Sequence, residues 1–236
     1  MNSVTLYGVT DSLSDRYLKY SDALKAASDA FMEFDKLYRS NEFREKTGWK
    51  KEEEEELSTV YGKKVDEGKM INCKTELPAP VSLVLKETWE GIDRLPIWNP
   101  NVAFARLIDT PSKNFDVCHY VNNDVFVITG RDVVCTRMYR EVDDGYILAS
   151  RSIELPEFPE RKDKVRAQII LGGAHLSAHP YKEDWTIVDA VMLCDPKGLI
   201  PKGIVNQVLG KISLMDSKVN REYYDKLWKE KKRSTT

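Results

Sequence analysis

Hydrophobic and polar positions change period several times along the chain, and each change marks an element. Across 12–39 the apolar residues Leu13, Tyr17, Tyr20, Leu24, Ala27, Phe31, Phe34 and Tyr38 keep helical spacing, which predicts an amphipathic helix capped by Asp11 or Ser12. From Trp49 the pattern turns strand-like. Trp49 with the acidic run 52–56 predicts an edge strand, and 57–65 and 70–77 predict two more, joined as a hairpin by Asp66-Glu67-Gly68. A short helix is predicted at 81–92, with Val84, Leu85, Thr88 and Trp89 on one side, then a loop rich in proline and aromatic residues at 95–102. Six strand candidates follow at 103–109, 115–121, 132–141, 146–152, 165–177 and 185–194, with 154–161 as a loop; most are rich in Val, Ile, Tyr or Thr.

The chain closes on Asp195-Pro-Lys-Gly-Leu-Ile-Pro-Lys-Gly-Ile-Val-Asn-Gln-Val-Leu209 and the residues after it. Pro201 suits the first turn of a helix. Val205, Val208, Ile212, Met215, Val219, Tyr223 and Leu227 then step by three or four, with Lys211, Lys218, Lys226 and Lys229 off the stripe, so 201–230 reads as a long helix with one apolar face. The order is helix, three strands, short helix, six strands, long helix. Strands without intervening helices pair antiparallel, so the expected class is α+β, a bent sheet gripped by a terminal helix. Such a helix either covers one side of the sheet or encloses a cavity with it and serves as the lid.

Composition narrows the function. With 236 residues the chain is one large domain or two small ones, and 42% hydrophobic, 31% charged and a net charge of −2 read as soluble and globular, without the basic surplus of a nucleic-acid binder. No apolar stretch is long enough to span a membrane. The first residues have neither the basic-then-apolar pattern of a signal peptide nor the Arg-rich, acid-poor composition of a mitochondrial presequence, so a cytoplasmic protein is expected. The four cysteines, Cys73, Cys118, Cys135 and Cys194, lie far apart without a CxxC pair, and His119, His175 and His179 have no metal or triad spacing. Buried reduced thiols are expected, with no metal and no cofactor. No dinucleotide, phosphate-loop, nucleophile-elbow or zinc-protease motif is present, so no catalytic residue is assigned and the chain is read as a non-enzyme.

Two segments carry more specific information. In Arg131-Asp-Val-Val-Cys-Thr-Arg137, alternation puts Arg131, Val133, Cys135 and Arg137 on one strand face. Arg137 is then either an edge arginine or a polar anchor at the bottom of an apolar cavity. The run Val125-Phe-Val-Ile128 reads as a buried strand edge or as a loop at a cavity mouth that touches membrane.

Trp98-Asn-Pro-Asn-Val102, Arg131-Asp-Val-Val134, Val165-Arg-Ala167 and the 195–209 run, in this order and spacing, resemble the START lipid-transfer domain, nearest its sterol-binding branch. The resemblance covers about 49–228, and the first helix fits the family's as well. It implies a helix-grip fold: a U-shaped, nine-stranded antiparallel sheet around a hydrophobic tunnel closed by the C-terminal helix. One lipid is carried inside without chemical change. In that branch an arginine projecting into the tunnel falls on Arg137, paired with an acid on the preceding strand. Counting back gives His119 or Cys118, neither a carboxylate, and leaves Asp189 or Asp116 as other sources of charge.

The ligand site implied is therefore Arg137 as the anchor for a hydroxyl or water, helped by His119, with Cys118, Asn99, Asp189, Phe126, Val205, Val208, Leu209 and Ile212. The expected ligand is a sterol or another isoprenoid, cholesterol-like or carotenoid, since 122–128 departs from the small residues of the sterol branch. The expected protein is a monomer, cytoplasmic and peripheral to membranes, meeting them transiently through Phe126 and the last helix. Three alternatives stand beside it: a phospholipid or ceramide carrier, a lipid-sensing module of a longer chain, and an enzyme on the same grip. The first needs more polar groups in the tunnel, and the last an acid–base constellation there.

Overall fold

The computed structural model describes residues 1–124, 129–199 and 202–235, with side chains for all of these except 202–207 and 235. The chain begins with a hairpin, β1 (Ser3–Leu6) and β2 (Val9–Ser12). Its turn residues Tyr7 and Gly8 both have positive φ, 52° and 73°, as a two-residue hairpin turn requires. The hairpin and a 3-10 turn, Asp15–Tyr20, replace the first part of the predicted helix, so α1 runs Ser21–Arg39. Leu13, Tyr17 and Tyr20 keep helical spacing because they pack into the same core as α1. Neither Asp11 nor Ser12 caps the helix: both lie in β2, and Asp11 is buried in an ion pair with Arg140.

After α2 (Asn41–Arg44) come β3 (Lys50–Glu55), β4 (Ser58–Val65) and β5 (Gly68–Leu77), then α3 (Val81–Glu90). Trp49 anchors the charged edge strand by packing edge-on against Phe43, ring centroids 5.5 Å apart. The loop predicted at 95–102 contains one helical turn, α4 (Leu95–Trp98), with Pro96 at its start, where the missing N–H costs nothing. The remaining strands are β6 (Val102–Ser112), β7 (Phe115–Asn122), β8 (Arg131–Val142), β9 (Gly145–Ser152), β10 (Val165–Arg166), β11 (Gln168–Ala178) and β12 (Thr186–Asp195). The long helix α5 spans Lys202–Thr235. The predicted strand at 165–177 is broken at Ala167: β10 pairs parallel with β8, whereas β11 lies between β9 and β12.

Nine strands form one antiparallel sheet in the order β3-β4-β5-β12-β11-β9-β8-β7-β6. Alternation gives the sheet two distinct faces. On the outer face Phe115, Val117, Met138, Ile147, Leu171 and Val191 pack against Leu24, Ala27, Phe31 and Phe34 of α1. Each large side chain buried here contributes about 1.5–3 kcal/mol. Gly173 permits the close approach of α1, because a Cβ there would lie 2.2 Å from Phe34 Cδ2.

Arg140, fully buried on this outer face, fixes the N-terminal hairpin to the sheet. It donates from Nε to the Leu6 carbonyl (3.0 Å) and from Nη1 to the Tyr139 carbonyl (2.8 Å), and pairs through Nη2 with Asp11.

Helix α5 crosses the inner face, and the surface it sets on the sheet coincides with the predicted apolar stripe only toward its C-terminal end, where Tyr223 and Leu227 join Tyr224 against Leu77, Leu148 and Leu176. Gly210, Ser217 and Tyr224 are its buried positions. Ser217 Oγ donates to Ser58 Oγ (3.0 Å), which hydrogen-bonds Thr75 Oγ1 (2.8 Å), and Arg221 donates to the same pair. Of the stripe, Val208, Ile212, Val219, Tyr223 and Leu227 are half-buried and Met215 is 44% exposed.

Removing Asp11 leaves a buried guanidinium without its counter-ion, so Asp11→Ala should cost about 3–5 kcal/mol in urea denaturation. A loss below about 0.5 kcal/mol would show that the hairpin is not held by this pair.

Candidate functional site

The inner face differs in composition from the outer one. On β7 it presents Asp116, Cys118 and Tyr120, and directly across on β8 stand Arg137, Cys135 and Val133. Arg137 pairs next with Ser150 on β9, Ser150 with Gly172 on β11, and Gly172 with Met192 on β12. The adjoining row is Leu148, Ala174, Ala190 and Cys73. Small residues therefore fill the middle of the floor. A Cβ on Gly172 would stand 2.3 Å from Ser150 Oγ.

All four cysteines lie on this face as free thiols. Cys118 Sγ and Cys135 Sγ are 3.4 Å apart. The Cys118 contact and burial raise the Cys135 thiol well above its ordinary value. Burial pushes Cys73 to about 12 and Cys194 to about 11. At neutral pH they are uncharged, polarisable wall groups rather than nucleophiles or metal ligands.

The charged group of the floor is Arg137. Its Nε donates to Asp116 Oδ1 (2.9 Å) and its Nη2 to Asp116 Oδ2 (2.6 Å). Nη1 donates to the Thr88 carbonyl (3.0 Å) and Nη2 to the Trp89 carbonyl (2.8 Å), while the guanidinium lies over the Trp89 ring at 4.8 Å. These carbonyls end α3, where the helix leaves acceptors unpaired and its dipole favours a cation. Four of the five guanidinium protons are engaged, leaving one on Nη1. Asp116 supplies the missing carboxylate. Burial raises its pKa, and Arg137 acts in the opposite direction.

The other predicted residues divide by strand parity. Cys118 is on the floor beside the Arg137 pair. His119 is on the opposite face, so it does not assist Arg137; its Nε2 bonds Asp132 Oδ1 (2.5 Å), between the rings of Phe104 and Phe158. Asp132 is fully buried and also receives both Nε and Nη2 of Arg166. Asp189 is likewise on the outer face, accepting from Asn72 Nδ2 (2.5 Å) and opposite His175 in the register. Asn99 is buried at the lid: its Nδ2 donates to Asp216 Oδ1 of α5 (3.0 Å) and its Oδ1 accepts from the Asn101 amide (2.9 Å). Val208, Leu209 and Ile212 are half-buried on α5. Phe126 and the Val205 side chain lie outside the described residues.

Tyr120, Ser150 and Asp216 escaped sequence reasoning. Tyr120 was within reach of the strand argument, since it shares the parity of Asp116 and Cys118. Trp98 stacks on Tyr223 of α5 with centroids 4.0 Å apart, a second link between α4 and the lid. Among the described residues no group of histidine, cysteine and acidic side chains is arranged to hold a metal ion, and no helix is long and apolar enough to cross a membrane.

Comparison with known proteins accords with this architecture. A family model described as START domain matches residues 32–229. The chain is 44% identical over 227 residues to Steroidogenic acute regulatory-like protein 1 of Caenorhabditis elegans, covering 95% of this chain and 88% of that one. It is 26% identical over 170 residues to the mitochondrial steroidogenic acute regulatory protein of Homo sapiens, covering 70% of this chain and only 59% of that protein. Human StAR-related lipid transfer protein 5 shares the fold with a TM-score of 0.76 at 16% identity, over 88% of this chain and 99% of that one. Human STARD10 gives 0.72 at 24% identity, over 87% and 83%. The chain belongs to the START domain family.

Proposed function

We propose that the protein is a non-enzymatic lipid carrier that holds one sterol, or another isoprenoid lipid of that size, between the inner face of the sheet and α5. The observation that carries this reading is the composition of the floor: small residues and neutral thiols around the Arg137 guanidinium, which keeps one free proton. Apolar walls with few oriented polar groups suit an apolar ligand bearing a hydroxyl. Burial of the ligand contributes about 25 cal/mol per Å² of apolar surface. The remaining Nη1 proton of Arg137, with Ser150 Oγ beside it, is the anchor for that hydroxyl, directly or through a water. Relatives named for steroidogenic regulation support a steroid-like ligand.

The other charged and titratable groups fit a carrier better than an enzyme. Asp116 is held by Arg137, and His119 and His175 face away from the floor. For a phospholipid headgroup the second guanidinium on this face of β8, Arg131, is already committed to the carbonyls of Thr129, Pro196 and Lys197.

Access requires α5 to move. Its seam on the sheet is polar at Ser58, Thr75, Ser217 and Arg221, where contacts separate into water at lower cost than at the apolar end, Tyr224 and Leu227 on Leu77 and Leu176. Ile97 (81% exposed), Leu199 (105%) and Met215 (44%) offer apolar contact with a membrane from α4, the run into α5, and α5 itself. The protein would work from the cytoplasm and touch membranes only transiently.

Arg137 also holds Asp116 and the end of α3, so its ligand role is tested with both charges removed. Asp116→Leu/Arg137→Leu should fold, because no charge is orphaned, and should bind a fluorescent sterol about tenfold more weakly. Wild-type affinity in the folded double variant would remove Arg137 from the site. A second expectation concerns the thiols. Maleimide labelling of Cys194, read by mass spectrometry, should rise about tenfold per pH unit from pH 8 up to about 11, where a free thiol levels near 9, and bound sterol should slow it. Labelling unaffected by sterol would place the ligand elsewhere.

A further inference from the structure

A lysine just after α2 stands apart from the ligand site and from the core. The helix ends in a Schellman turn: the Lys46 amide donates to the Phe43 carbonyl (3.2 Å) and the Thr47 amide to the Glu42 carbonyl (2.9 Å). Lys46 therefore occupies the left-handed position of that turn, with φ 55°. Glycine is favoured there because it has no Cβ to strain. A long side chain kept at such a position points to a use for the side chain.

The turn lays Lys46 over three rings. Its Nζ is 3.4 Å from the ring centroid of Phe43, 5.6 Å from that of Trp49 and 5.5 Å from that of Tyr61 on β4. Phe43 and Trp49 are buried, whereas Lys46 and Tyr61 are half-buried, so the amine is enclosed without being sealed off. Among the described residues no oxygen accepts a hydrogen bond from it. The rings attract a cation but replace none of the hydrogen bonds that water gives an ammonium. Burial accordingly lowers the Lys46 pKa; Asp189 opposes this and Lys74 adds to it, two charges that stand opposite each other on β12 and β5. Lys19 and Lys51, exposed and paired with glutamates, are shifted the other way.

A desolvated amine near a second cation is the arrangement that turns lysine into a nucleophile. We infer that Lys46 is a covalent modification site that captures an apolar aldehyde as an imine, independently of any lipid under α5. The neutral Nζ adds to the carbonyl carbon, and the C=O π pair moves to oxygen. One N–H proton passes to that oxygen to give the carbinolamine. The second leaves with the hydroxyl as water while the nitrogen lone pair closes the C=N bond. One water is released, and nothing is oxidised or reduced. Phe43, Trp49 and Tyr61 supply apolar contact for the aldehyde's carbon chain and hold off the water that would hydrolyse the imine.

The test uses the full chain at neutral pH with substoichiometric hexanal and cyanoborohydride, which fixes each imine as a hexylamine for peptide mass spectrometry. Lys46 should be alkylated at least about fivefold faster than the exposed Lys162 and Lys226. Tyr61→Ser, with its fold checked by circular dichroism, admits water to the amine and should bring Lys46 down to their rate. Lys46→Gly suits the left-handed turn, so it should stay folded and lose the fast site. Alkylation of Lys46 no faster than of Lys162 and Lys226, or equally fast in Tyr61→Ser, or a fast site that survives in Lys46→Gly, overturns the inference.

Discussion

The buried pair Asp116–Arg137 is the constraint on which the interior depends. A floor of Gly172, Ala174, Ala190 and Ser150 would invite the covering helices to settle onto it, since close packing is the default of protein interiors. Arg137 meets the covering layer with a charge instead. It stands on β8, is clamped from β7 by a bidentate carboxylate, and ends on the last carbonyls of α3. Each of these groups satisfies another, so the pair can be buried and still leave one guanidinium proton unengaged.

The same strand shows how one sheet serves two purposes. Arg137 and Arg140 are three residues apart on β8 and point to opposite faces, each with its own aspartate. Arg140 closes the outer layer by binding the N-terminal hairpin over a dense aromatic core. Arg137 ties the inner face to the end of α3. A one-residue slip in β8 would exchange the two faces, so the register with β7 and β9 determines which arginine meets a ligand. The lid is divided too: α5 meets the sheet with Gly210, Ser217 and Arg221 and, further along, with Tyr224 in an apolar cluster, while its apolar stripe stays only partly covered.

Much of this was legible in the sequence. Strand periodicity with turn residues located all nine strands of the sheet, and helical spacing located α1, α3 and α5. Alternation along 131–137 put Arg137 and Cys135 on one face before any partner was known. The partner itself was harder, because the register of β7 against β8 is not encoded in the alternation of either strand. Counting back reached Cys118 and His119, whereas the residue opposite Arg137 is Asp116. The N-terminal hairpin was hidden because Leu13, Tyr17 and Tyr20 mimic helical spacing, although Tyr7-Gly8 between two short alternating runs was its signature. The contact face of α5 could be read from hydrophobicity only at Tyr223 and Leu227, since its sheet-facing residues from Gly210 to Arg221 are small or polar.

The central claim is that the space between floor and lid belongs to a sterol-class lipid. Its most direct test is native mass spectrometry of the purified protein after incubation with a mixed extract of sterols, carotenoids and phospholipids. One sterol-mass adduct per chain is the result this account predicts. A phospholipid adduct, or a protein that emerges with no lipid at all, would contradict it.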